Sequence, residues 1–158
     1  MNQKEKIEKI KEFRLIDDVF FEVFASDIPA CQEILRTILE DEKLIVNDVI
    51  VQSSERNIYG RSVRLDALCT LGDGSLCNIE IQRSDNDNHL KRARFNAASI
   101  TVKESEPGIN FENVKDVYIV YISEKDFFKA GLTTYHIDKI IRENGITVED
   151  GLHEIFVN

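Results

Sequence analysis

Apolar residues recur at three- and four-residue spacing at Phe13, Ile16, Phe20 and Phe24, with Val19 and Val23 beside them. That is the stripe of an amphipathic helix. A second helix should follow, capped by Ser26 or Asp27, with Pro29 in its first turn and Ile34, Leu35, Ile38 and Leu39 on its apolar side. Leu44 to Val51 is rich in Val and Ile and reads as a strand. Arg61 to Leu71 and Ser75 to Gln82 alternate as two strands around Gly72-Asp73-Gly74. Asp85 to Glu104 reads as a helix ended by Pro107-Gly108, and the apolar run Val117 to Ile122 as a strand buried on both faces. Leu132 to Ile141 is predicted helical, and Glu154 to Val157 the start of another strand. The order is α-α-β-β-β-α-β with a further tail, a mixed α/β domain containing a hairpin and one crossover. No repeat or Gly/Ser linker divides it, so residues 1–158 read as a single domain.

Directly paired residues on neighbouring strands share a face, so the hydrophobic pattern selects the hairpin register. A two-residue Asp73-Gly74 turn would set Asp66 opposite Ile81 and Cys69 opposite Asn78, mixing polar with apolar along the ladder. A three-residue Gly72-Asp73-Gly74 loop pairs Leu71 with Ser75, Cys69 with Cys77, Ala67 with Ile79 and Leu65 with Ile81. Three-residue hairpins with a left-handed glycine are common. This register predicts Asp66 directly opposite Glu80, with Cβ atoms about 5 Å apart. Like charges so placed repel, and two ionised carboxylates need a compensating cation. Mg²⁺, or Mn²⁺ in its place, is such an ion, preferring oxygen ligands and retaining several waters. It would polarise a phosphoryl oxygen and activate a bound water. The alternative is an ordinary polar strand face, with the acids neutralised by Arg64 and Arg83.

Composition narrows the function classes. The net charge of −9 opposes bulk affinity for a phosphate backbone but suits a site that gathers cations. Three cysteines without a C-x-x-C pair argue against a disulfide framework and a zinc ribbon. They predict buried thiols in a reducing, cytoplasmic setting. No apolar run reaches the roughly 18 residues of a membrane span, and Met1 to Lys11 is too polar to read as a signal peptide. The scattered His89, His136 and His153 do not have zinc-ligand spacing. Lys91, Arg92 and Arg94, with Phe95, could contact DNA phosphates and stack on a base, or form a solvated helix face.

Arg64-Leu65-Asp66, the Gly-Asp-Gly hairpin and Ile79-Glu80-Ile81-Gln82 resemble the PD-(D/E)XK nuclease family transposases, which are similar to bacterial recombination-promoting nucleases. Lys91-Arg92-Ala93-Arg94-Phe95 resembles the basic-aromatic start of that family's following helix, and Asp17-Asp18-Val19-Phe20 its first helix. The resemblance covers about Phe13 to Ile122. It implies a restriction-endonuclease-like α-β-β-β-α-β core with a mixed central sheet. It also implies a Mg²⁺-dependent DNA endonuclease active in DNA recombination. Asp66 and Glu80 would then be catalytic and metal-holding, with Gln82 at the wider superfamily's lysine position and Asp17, or Asp18, as the helix acid. Lys91, Arg92 and Arg94 would contact DNA. Gln82 carries no charge and cannot serve as a general base. A catalytically inactive module that binds DNA or a protein partner is therefore the alternative. A homodimer is one arrangement open to it. The chain is shorter than that family's usual members, and its terminal apolar run reads as a strand cut short.

Overall fold

The computed structural model describes residues 3–56, 62–84 and 88–158. The predicted element starts at Arg61 and Asp85 lie outside them. Helices α1 (Gln3–Lys11), α2 (Asp18–Ala25) and α3 (Ile28–Ile38) precede strands β1 (Val46–Arg56), β2 (Ser62–Leu71) and β3 (Leu76–Gln82). Helix α4 (His89–Glu104) crosses to β4 (Val117–Ser123). Then come β5 (Thr134–Ile137), β6 (Lys139–Ile140), β7 (Thr147–Val148) and β8 (Leu152–Val157). A six-stranded mixed sheet has the order β1-β2-β3-β4-β8-β5, and β6 pairs with β7 separately. This is the mixed α/β architecture with a restriction-endonuclease-like core that the sequence led us to expect.

The hairpin forms in the predicted register, with Cys69 opposite Cys77 and Ala67 opposite Ile79. The Leu71 amide donates to the Ser75 carbonyl at 2.8 Å, closing the three-residue loop. Gly74 takes φ +90° there, a conformation that favours a residue without Cβ. Strand β3 runs parallel to β4, and β4 parallel to β8, so β3, β4 and β8 all end on the same edge of the sheet. Two apolar clusters flank the sheet. One packs α2 and α3 through Phe21, Ala25, Cys31 and Leu35 against Ala67, Cys69, Cys77, Ile79 and Val120. The other packs α4 through Ala93, Ala97 and Ile100 against Leu68, Leu76, Ile119, Tyr121 and Phe156.

Several elements depart from the sequence pattern. The stripe from Phe13 to Phe24 is not one helix; α2 begins only after Asp17. It buries Phe21 and Ala25 and leaves Val19 70% and Val23 67% exposed. Asp27, rather than Ser26, caps α3 by accepting from the Ala30 amide at 3.1 Å. Asn88 caps α4, accepting from the Lys91 amide at 3.0 Å, so the helix starts later than the pattern suggested. The predicted helix over 132–141 is absent. Thr134–Ile137 instead forms the edge strand β5 beside β8. Long-range pairing outweighs local spacing there, as is usual for strands. The terminal apolar run is a strand, but it lies inside the sheet between β4 and β5.

Candidate active site

The β2–β3 ladder ends at the pair Ala67–Ile79. Beyond that pair, the two carboxylates replace the missing backbone partners. The Asp66 amide donates to Glu80 Oε1 at 3.4 Å, and the Ile81 amide donates to Asp66 Oδ2 at 2.9 Å. Asp66 and Glu80 are therefore cross-strand neighbours, as the register implied, but joined by side chain to backbone. Strict alternation does not survive here. Leu65 packs in the α4-side cluster, whereas Ala67 packs on the α2/α3 side. The expected Leu65–Ile81 pair is accordingly not part of the ladder.

The two acids border different helices. Asp66 lines a cavity of about 40 Å³ with Asp18, Phe21, Glu22, Val51, Gln52 and Ile81, on the side of α2. That exceeds the roughly 10–15 Å³ that one water needs. Glu80, only 1% exposed, meets α4 through Arg92, whose Nη2 lies 3.4 Å from Glu80 Oε2. Arg92 Nη1 also lies 3.4 Å from Gln82 Oε1. The cation beside Glu80 is thus Arg92, delivered one turn into α4, rather than Arg64 or Arg83. Arg83 pairs with Asp17 at 3.0 Å and more distantly with Glu124. Arg64 donates to Gln52. Helix α4 is anchored beside the site by its first residue, His89, whose Nδ1 lies 2.8 Å from the Tyr121 hydroxyl.

Burial, and then the neighbouring Asp66, push the Glu80 carboxyl up to about 7. The Asn78 amide, donating to Glu80 Oε1 at 3.2 Å, and Arg92 oppose that rise without cancelling it. Burial also raises Asp66, against the Ile81 amide and the charges of Arg92 and Arg64. Among the described residues, none donates a hydrogen bond to Asn78 Oδ1, buried beside Glu80. Among the described residues no three His, Cys, Asp or Glu side chains converge as a metal cage. The pair nevertheless fits a hard divalent cation. Two carboxylates under-compensated by one partly exposed guanidinium are the donor set that such an ion takes while keeping waters.

The remaining sequence candidates fall around this centre. Asp17 precedes α2, with Oδ2 accepting from the Arg14 amide at 2.8 Å and Oδ1 on Arg83. Asp18, not Asp17, lines the cavity beside Asp66. Gln82 lies at the end of β3, where its Nε2 donates to Ser84 Oγ at 2.6 Å. Lys91 and Arg94 are exposed on α4, whereas Phe95 packs in part against the α4-side cluster. The sequence reading did not anticipate Glu22, Gln52 or the turn of Arg92 toward Glu80. A basic residue three positions after the start of α4 was legible as basic, but its partner was not. A roomier cleft of about 440 Å³ lies at the hairpin-loop end of the sheet, lined in part by Lys43, Tyr118 and His153. The paired acids are not among its lining.

Facing carboxylates at the open end of a hairpin, with a basic helix crossing to the next parallel strand, define a nuclease-like α/β protein. A family model of the PD-(D/E)XK nuclease family transposases matches residues 14–158, and the chain belongs to that family. The match takes in β5 to β8, beyond the segment ending at Ile122 on which the resemblance rested. No curated protein and no solved structure matches it significantly. Nucleases of this kind typically use divalent metal ions and act on DNA. No helix among the described residues is long and apolar enough to cross a membrane.

Proposed function

We propose that this chain is a divalent-metal-dependent DNA endonuclease that hydrolyses phosphodiester bonds. The observation that carries the reading is the Asp66–Glu80 pair. The buried Glu80 and half-buried Asp66 carboxylates are held by each other's strands, and both titrate above their ordinary range. Carboxylates perturbed by burial and by each other cluster at functional sites.

Asp66 and Glu80 would hold Mg²⁺ or Mn²⁺, with Asp18 or Asp17 contributing from the start of α2. When bound, the ion activates a water and polarises a phosphoryl oxygen. The chain's own residues do the rest. Glu80 would have to give up its proton to hold the cation, which would make binding pH-dependent. Arg92 supplies the positive charge that Gln82 lacks, close enough to both Glu80 and Gln82 to offset charge developing at the phosphate. Gln82, with its amide held between Arg92 and Ser84, positions water or phosphate by hydrogen bonding. Lys91 and Arg94 face solvent beside the site and would position the DNA backbone rather than read bases.

The test is cleavage of supercoiled DNA with Mg²⁺ or Mn²⁺ at low salt, where an acidic protein best meets its substrate. The wild type should nick or linearise DNA, and Asp66→Ala and Glu80→Ala should each abolish it. A wild type that neither cuts DNA nor binds Mn²⁺ would leave the non-catalytic binding module as the better reading.

A further inference from the structure

Gln52 is a non-glycine residue in the middle of β1 with φ +54°. Strand residues ordinarily lie near −120 to −140°. A left-handed conformation at a residue bearing a Cβ persists only where its surroundings over-determine it, and such residues cluster at functional sites. The position of this one is specific. The β1–β2 ladder pairs Val51 with Ala67 and Ser53 with Leu65, so Gln52 stands across from Asp66. Asp66 therefore lies where two ladders fail at once, the second being the end of the β2–β3 ladder.

The side chain of Gln52 explains what holds it there. Its Nε2 donates to Glu22 Oε2 of α2 at 3.0 Å, and its Oε1 accepts from Arg64 of β2. One amide thus ties α2 to the strand that carries Asp66, two residues from Asp66 itself. Gln52, Glu22, Asp18 and Asp66 line the same small cavity.

We infer that Gln52 is a positioning residue for the Asp66 carboxylate, held in a strained backbone so that its amide clamps Glu22 and Arg64 around the metal-holding pair. The inference rests on the reading of Asp66 and Glu80 as that pair. The clamp acts on where Asp66 sits, not on any reacting atom.

Gln52→Gly separates the two parts, because glycine accepts the left-handed backbone without strain yet removes the clamp. The measurements are Mn²⁺ affinity of the full chain by calorimetry and the melting temperature of the metal-free protein. The Gly variant should melt no lower than the wild type while its Mn²⁺ affinity falls about tenfold or more, the loss typical of outer-shell groups. Glu22→Gln, which leaves the backbone untouched but weakens the clamp and removes a charge from the cavity, should lower affinity in the same direction. A Gly variant that keeps its affinity, or loses it only along with a lowered melting temperature, overturns the assignment. Failure of the wild type to bind Mn²⁺ is seen before any substitution and removes the metal reading on which the assignment stands.

Discussion

Arg92 places Nη2 3.4 Å from Glu80 Oε2 and Nη1 3.4 Å from Gln82 Oε1, so one guanidinium from α4 spans two side chains on β3. Its side chain is 36% exposed, while that of Glu80 is 1% exposed. The contact therefore matters more to Glu80's protonation than to global stability, because solvent screens the cation. Arg92→Ala should cost no more than about 1 kcal/mol of stability. It should move the acid limb of Mn²⁺ binding upward by about one pH unit, because Glu80 loses an opposing positive charge. Arg92→Lys keeps charge without the planar fork and should recover part of the shift. Calorimetric titrations across pH check this, and an unmoved acid limb in Arg92→Ala would show that Arg92 does not act on Glu80.

The Glu80 carboxyl also predicts how the metal-free protein responds to pH. Its folded value, about 7, lies above the ordinary value of 4.5, so between these values the folded state binds more protons than the unfolded chain. Stability then falls as pH rises through that window. The contribution is fully present below about pH 4.5 and lost above about pH 7. Other carboxylates superimpose their own slopes, so the diagnostic is the difference from Glu80→Gln. That variant stays neutral throughout and should flatten the fall. The expected gain at pH 8 is on the order of 2 kcal/mol in urea melts. Equal pH slopes in the two proteins would mean that Glu80 titrates normally.

The two aspartates at the start of α2 should separate cleanly. Asp17 bonds the Arg14 amide and pairs with Arg83, a structural set of partners. Asp17→Ala should lower stability by about 1 kcal/mol, as loss of one hydrogen bond and a partly exposed ion pair does, and leave Mn²⁺ affinity nearly unchanged. Asp18 lines the cavity with Asp66 and adds to its negative surroundings. Asp18→Asn should weaken Mn²⁺ binding while leaving the melting temperature of the metal-free protein equal or higher, since it removes a like charge. The reverse pattern would return the helix-acid role to Asp17.

The hairpin was legible because pairing apolar with apolar admits one register, and the loop had a glycine where a left-handed residue is needed. That register brought Asp66 and Glu80 together without any knowledge of the fold. What it could not carry is the break at Leu65 and Gln52, because alternation assumes that the ladder continues. Arg92 was visible as a basic residue, but its turn toward Glu80 depends on how α4 lies across the sheet, anchored through His89 and Tyr121. The segment 132–141 was misread for a related reason. Strand β5 exists because β8 lies beside it, and β8 comes later in the chain.

The three cysteines provide a check on the core itself. Cys31 of α3, Cys69 of β2 and Cys77 of β3 are all buried and free. Cys31 Sγ donates to the Ala25 carbonyl at 3.3 Å. A hydrogen bond between Cys31 and Cys69 holds the Cys31 thiol below its ordinary range and pushes Cys69 up, and burial pushes Cys77 up as well. The thiolate is the reactive form, and none of the three is open to solvent, so burial decides the outcome even for Cys31. A thiol reagent should modify none of them in the native protein and all three in denaturant. Cys77→Ser should cost about 1–3 kcal/mol, because a hydroxyl would be buried where a thiol packs as a small apolar group. Cys77→Ala should cost less, since it leaves only a small cavity. Rapid labelling of Cys69 or Cys77 in the native protein would contradict the packing of the hairpin against α3.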